Sequence, residues 1–212
     1  VIIEPIQGDA GVRIPSSEFL KALRRRCDEV GALLIFDEIQ SGFGRTGKLF
    51  AFEHFNVFPD VLTVGKAFGG GMPIGGFISS KENMNKLTFN PKLGHITTFG
   101  GHPVCCAAAL ASLELISDPE LLAHVEVKGR LFEDLLTHPK IKEIRRKGMF
   151  FAIELENPEI VQQVVHGCKE KGVLTFWFLS NPQSFRIAPP LIISEQEIKS
   201  SCQVIKQILD SI

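Results

Sequence analysis

The 212-residue sequence has no tyrosine and one tryptophan against 17 phenylalanines, a bias with no functional reading of its own. It lacks an excess of either charge: 23 lysines and arginines face 24 aspartates and glutamates, which leaves no electrostatic footprint for a nucleic-acid backbone or an anionic membrane surface. It lacks any apolar run approaching the ~20 residues of a membrane helix, and any basic start followed by an apolar core that would mark a signal peptide. The five cysteines (Cys27, Cys105, Cys106, Cys168 and Cys202) are an odd set without CxxC spacing. That speaks against a metal site or a disulfide framework and for reduced thiols in a cytoplasmic protein. An initiator methionine is also missing, and the chain opens in the strand-like run Val1-Ile2-Ile3, so a segment of a longer polypeptide is expected. What remains, 44% apolar and 22% charged residues, is the composition of an ordinary globular domain.

Short apolar runs at residues 1–3, 32–36, 61–64 and 76–79 read as strands, the second continuous enough to be covered on both faces of a parallel sheet. Between the first two, Phe19, Leu20, Leu23, Cys27 and Val30 recur at helical spacing after Ser16-Ser17 and before Gly31, with three arginines on the opposite face. Strands alternating with helices predict an α/β sheet. Two long helices in series follow, near residues 103–116 and 119–136, with Asp118 as the expected cap of the second. Beyond Pro139 the pattern changes to short strands near 141–146, 150–155, 173–178 and 185–187, a helix at 158–171, and a last helix opened by the capping box Ser194 with Glu197. The expected organisation is therefore residues 1–117 in a large domain, 118–138 as a linking helix, and 139–212 as a small α+β domain.

Two nucleotide motifs match in part. Gly42-Phe43-Gly44-Arg45-Thr46-Gly47 spells GxGxxG, but four residues separate it from its strand and no acidic partner ends a following strand. The run Leu33-Leu34-Ile35-Phe36-Asp37-Glu38 resembles the magnesium-binding strand of P-loop ATPases, yet the sequence contains no GxxxxGK[ST]. Lys66 is more informative, because it stands where an apolar strand gives way to Gly69-Gly70-Gly71. Apolar and small neighbours disfavour an ammonium and favour a nucleophilic amine, although a lysine at a strand end also snorkels to water. Asp37 ends another strand of the same expected sheet, and open α/β sheets bind ligands beyond the carboxyl ends of their strands. An amine and a carboxylate so placed are the two groups that pyridoxal phosphate requires of a protein.

Five segments in order and register, Glu4-Pro5-Ile6-Gln7-Gly8, Asp37 to Gly47, Gly65-Lys66-Ala67, Thr97-Thr98-Phe99-Gly100-Gly101-His102-Pro103 and Phe185-Arg186-Ile187-Ala188-Pro189-Pro190, closely resemble the class III pyridoxal-phosphate aminotransferases. That group includes the acetylornithine, ornithine and 4-aminobutyrate aminotransferases. The resemblance implies pyridoxal-phosphate fold type I, with part of a mostly parallel large-domain sheet followed by a small α+β domain. It implies an enzyme moving an amino group from an amino acid or ω-amino donor to a keto acid such as 2-oxoglutarate, with pyridoxal 5′-phosphate in Schiff-base linkage to Lys66. Asp37 then faces the pyridine nitrogen and Gln40 the phenolic oxygen. Thr98, beside Thr97, reaches the phosphate of a neighbouring subunit's cofactor, which implies a homodimer with shared sites. Arg186 captures a substrate carboxylate, and Asp9 stands where relatives carry a glutamate that neutralises this arginine, one methylene shorter here. Glu4 and Arg45 are expected in supporting ion pairs. The ring-stacking aromatic and the phosphate loop of the family lie N-terminal to these motifs, so a catalytically incomplete structural or dimerisation module is the alternative, and a nucleotide-binding α/β protein a more distant one.

Overall fold

The computed structural model describes residues 1–92 and 95–212. They form two compact units. The first comprises residues 1–5, 15–43 and 48–118; the second comprises 6–14, 44–47 and 119–212. The boundary at residue 118 falls between the two helices in series, and two short N-terminal stretches are grouped with the C-terminal unit, which the sequence pattern did not suggest.

In the first unit β1 (Ile2–Ile3), β2 (Ile35–Asp37) and β3 (Val61–Val64) run parallel, and β4 (Gly76–Ser79) closes the edge antiparallel to β3, giving the order β1-β2-β3-β4. Helix α1 (Ser17–Val30) starts where the Ser16 hydroxyl accepts from the Phe19 amide and stops at Gly31, whose φ of 67° is the left-handed cap that glycine adopts without a steric penalty. Its apolar stripe buries Leu20 and Cys27. Asp60 joins helix to sheet: one carboxylate oxygen accepts from the Leu34 amide at 2.7 Å and from Arg24 at 2.8 Å. Strand β2 begins three residues later than its apolar run suggests, and Leu33 in that run is 46% exposed, so the segment is not covered throughout. Helix α2 (Lys81–Lys86), capped by Ser80, had no apolar period to announce it. Helix α3 (Pro103–Ile116) is apolar on all sides and buries only Ala109 within this unit.

In the second unit β5 (Glu143–Lys147), β6 (Phe150–Glu154), β7 (Phe176–Trp177) and β8 (Ser184–Ile187) form an antiparallel sheet of order β5-β6-β8-β7. Helices α4 (Pro119–Leu135), α5 (Pro158–Glu170) and α6 (Glu195–Ser211) pack against it around Phe132, Phe151, Ile153, Val164, Cys168, Phe185, Ile198 and Cys202. The expected strand at 173–178 shortens to two residues. Asn157 caps α5, and the expected Ser194–Glu197 box caps α6. The hairpin of β5 and β6 turns at Gly148, where φ is +58° and a Cβ would come within 2.5 Å of the Thr46 carbonyl carbon. That close approach seats residues 44–47 on the second unit. Among the described residues no helix is long and apolar enough to cross a membrane, and no cluster of metal-ligating side chains occurs.

Candidate active site

Asp37 is the last residue of β2 and lies in register with Thr63 of β3. Three residues past Thr63, beyond the buried Gly65, the chain bends into a short 3₁₀ turn, Lys66–Gly69. An amine and a carboxylate thus occupy the carboxyl ends of two adjacent parallel strands, where open α/β sheets bind ligands. Lys66 is exposed and has a φ of +48°, the left-handed region that non-glycine residues enter at a cost of about 1 kcal/mol or more. The turn is fixed from behind: Ser112 of α3 donates to the Ala67 carbonyl at 3.2 Å, and at Gly70 a Cβ would meet the Ala108 carbonyl oxygen at 2.8 Å. Phe43, also at positive φ, stacks on Phe68 with ring centroids 5.3 Å apart. Rigid packing therefore holds the strained backbone that presents the lysine.

One Asp37 oxygen accepts from the Ile39 amide at 3.0 Å, which sets the carboxylate at the mouth of the turn leading to half-buried Gln40. The neighbouring Glu38 is fully buried, a feature the sequence reading passed over. Its two oxygens accept from the Ser41 hydroxyl at 2.5 Å and the Phe52 amide at 2.8 Å, bracing the loop behind Asp37. The visible signal was a carboxylate directly after a buried strand with a serine three positions on. Burial pushes the Glu38 carboxyl above the ordinary glutamate value, in spite of the opposing hydrogen bonds. A raised folded-state value makes ionised Glu38 a destabilising element at neutral pH, and the penalty disappears as acidification protonates it. Glu38→Gln keeps a hydrogen bond to each partner, so it is expected to be favoured over the parent at pH 7 and to lose that advantage as pH falls toward 4. Glu38→Ala leaves a buried amide and hydroxyl unpaired and costs about 2–4 kcal/mol. Urea unfolding of both variants across that pH range is the check.

Thr97 and Thr98 are exposed, in the turns before α3, where the Gly100 amide donates to the Thr97 carbonyl at 3.3 Å. Lys66, Asp37, Gln40, Thr97 and Thr98 thus all belong to the first unit, while Asp9 and Arg186 belong to the second. Arg186 lies on β8, and its guanidinium carbon stands over the rings of Phe176 and Phe178 at 5.6 and 5.7 Å. Neither phenylalanine was singled out from the sequence, although Phe-Trp-Phe in a strand-like run was the available signal. Asp9 accepts from the Leu179 amide at 3.4 Å and the Ser180 hydroxyl at 3.1 Å. Arg45 donates to the carbonyls of Pro189 at 2.6 Å and Met149 at 3.2 Å, where a supporting ion pair was expected of it. Its burial, with the charge of Arg186 adding to the effect, pushes the Arg45 guanidinium down to about 10.

The donor set fits pyridoxal phosphate: an accessible primary amine for its aldehyde, and a carboxylate on the adjacent strand for its ring nitrogen. Over residues 1–209 the chain matches the family model of the class-III aminotransferases. An ornithine aminotransferase from Plasmodium yoelii superposes with a TM-score of 0.88 at 32% identity, covering 99% of this chain and 56% of that one. A Bacillus anthracis aminotransferase gives 0.91 at 33% identity, covering 100% and 52%. The Toxoplasma gondii ornithine aminotransferase, for which partial occupancy of pyridoxal phosphate at the active site is described, gives 0.86 at 36% identity, covering 99% and 50%. The chain therefore spans about half the length of these relatives. Its mixed α/β fold is that of pyridoxal-phosphate fold type I. The chain belongs to the class-III aminotransferases, a family that uses pyridoxal 5′-phosphate.

Proposed function

We propose that this chain carries the lysine, the ring-nitrogen carboxylate and the carboxylate-binding arginine of an aminotransferase that moves an amino group from an amino acid or ω-amino donor to a keto acid, 2-oxoglutarate being the acceptor best suited to Arg186. The observation that carries the reading is the placement of Lys66 and Asp37 at the carboxyl ends of adjacent parallel strands. Bound pyridoxal phosphate supplies the electron sink that lets a substrate carbon lose a proton. Lys66 would have two tasks: its Nζ would tether the cofactor aldehyde and, once displaced by the amino substrate, would carry the proton between the substrate carbon and the cofactor carbon. Asp37 holds negative charge against the ring nitrogen and keeps that nitrogen protonated. Gln40, on the loop that Glu38 braces, would donate to the phenolic oxygen of the bound cofactor.

Arg186 offers a planar fork for two-point capture of a substrate carboxylate, and Asp9 is the acidic residue assigned to the same end of the site. Thr98, with Thr97 beside it, serves the phosphate of the partner's cofactor in a homodimer. Support for association comes from apolar side chains of the first unit that remain exposed, among them Phe77, Ile78, Leu110 and Leu115. A cytoplasmic address belongs to the same proposal, supported by five free thiols. Borohydride reduction of the full-length protein with pyridoxal phosphate, followed by mass analysis of the Lys66 peptide, tests the reading. A reduced adduct on Lys66 supports it; a cofactor-binding protein with its adduct elsewhere overturns it. The same treatment of the 212-residue chain alone distinguishes a self-sufficient site from half of one.

A further inference from the structure

Phe176 on β7 lies directly opposite Arg186 on β8, and Phe178 follows two positions later. Both rings turn a face toward the guanidinium carbon, at 5.6 and 5.7 Å. They differ in burial: Phe178 is 2% exposed, whereas Phe176 is 49% exposed and stacks on Trp177 at 4.6 Å. The turn after Phe178 is tied down by Asp9, which accepts from Leu179 and Ser180. A ring face attracts a cation without cancelling its net charge and without using in-plane N–H donors, in contrast to a carboxylate partner. A guanidinium set over two ring faces is therefore oriented by them, and the direction of its planar fork depends on where those rings stand.

We propose that Phe176 and Phe178 are positioning residues that set the affinity of Arg186 for the substrate carboxylate, and that Asp9 holds the turn that keeps Phe178 in place. This rests on the reading of Arg186 given above. It makes the aromatic pair a determinant of specificity for carboxylate-bearing substrates over amines that lack the group.

Phe176→Leu is the cleaner test, because the side chain is half exposed and its loss leaves the core intact. In the cofactor-loaded full-length protein, KM for 2-oxoglutarate should rise about 3- to 30-fold, with a smaller effect on kcat. Phe176→Tyr, which keeps the ring face, should restore it. A second readout needs no turnover: glutarate binding to the cofactor-free full-length protein, measured by calorimetry, should weaken by a similar factor in Phe176→Leu and recover in Phe176→Tyr. Arg186→Met separates the two claims. If it leaves KM and glutarate binding unchanged, the reading of Arg186 falls and the inference with it. If Arg186→Met weakens both but Phe176→Leu weakens neither, or if tyrosine fails to restore them, the aromatic pair does not position the arginine and the inference alone is overturned.

Discussion

Lys66→Ala in the full-length protein is expected to abolish the borohydride-fixed link to pyridoxal phosphate and to lower transamination by about 10⁴-fold, the upper range for loss of a positioned proton carrier. The structure makes this a test of chemistry and not of folding. The Lys66 side chain is exposed, so alanine removes no core contact, and alanine tolerates the φ of +48° about as well as lysine does. Stability should change by less than about 1 kcal/mol, as for other exposed substitutions. Lys66→Gly relieves the strained backbone and should melt slightly above the parent while being equally inactive. Absorbance of the bound cofactor, peptide mass after reduction and single-turnover amino transfer are the three readouts. Unchanged turnover in Lys66→Ala would refute the assignment.

Asp37→Asn comes next in size, with an expected fall in kcat of about 10²- to 10³-fold, the usual range for removing one preorganised electrostatic partner. Asparagine retains the oxygen that accepts from Ile39, so the turn at the end of β2 survives and the change is confined to one negative charge. On the proposed role, removal of that charge would let the ring nitrogen of a bound cofactor lose its proton more readily and so weaken its electron withdrawal. A cofactor analogue with a permanent positive charge on the ring nitrogen should therefore recover much of the lost rate in Asp37→Asn and add little to the parent. If the analogue gives no recovery, Asp37 serves the loop and not the ring.

Local pattern disclosed α1 with its serine cap and glycine stop, strands β3 and β4 to the residue, and the capping box of α6, because each is written in a few neighbouring residues. The strand-end positions of Lys66 and Asp37 were legible for the same reason, since both are polar residues that close apolar runs. What escaped depends on residues far apart in the chain. Burial of Glu38 is accommodated by the Phe52 amide, fourteen residues on, which donates to its carboxylate, and the ring faces under Arg186 come from a cross-strand register that no period reveals. Asp37 to Gly47 read as one motif, yet residues up to 43 are grouped with one unit and 44–47 with the other, since Gly148 admits the Thr46 backbone against it. Asp9 was placed by its position in a motif, and its hydrogen bonds to residues 179 and 180 were invisible at that distance in sequence.

The two sheets also differ in the order in which they can form. β5 and β6 are neighbours in the chain, pairing Lys147 with Phe150 across a tight turn, so their ladder closes early and at low entropic cost. β1 and β2 pair Ile2 with Ile35 in parallel, which cannot happen until α1 and the chain around it have been laid down. On a ribosome, the lysine-bearing sheet begins to assemble first yet depends on the more distant closures, while the later antiparallel sheet needs only its own hairpin to start. Pulse-labelled hydrogen exchange during refolding should find β5 and β6 amides protected before those of β1 to β3, and simultaneous protection would show that the two sheets fold as a single cooperative event.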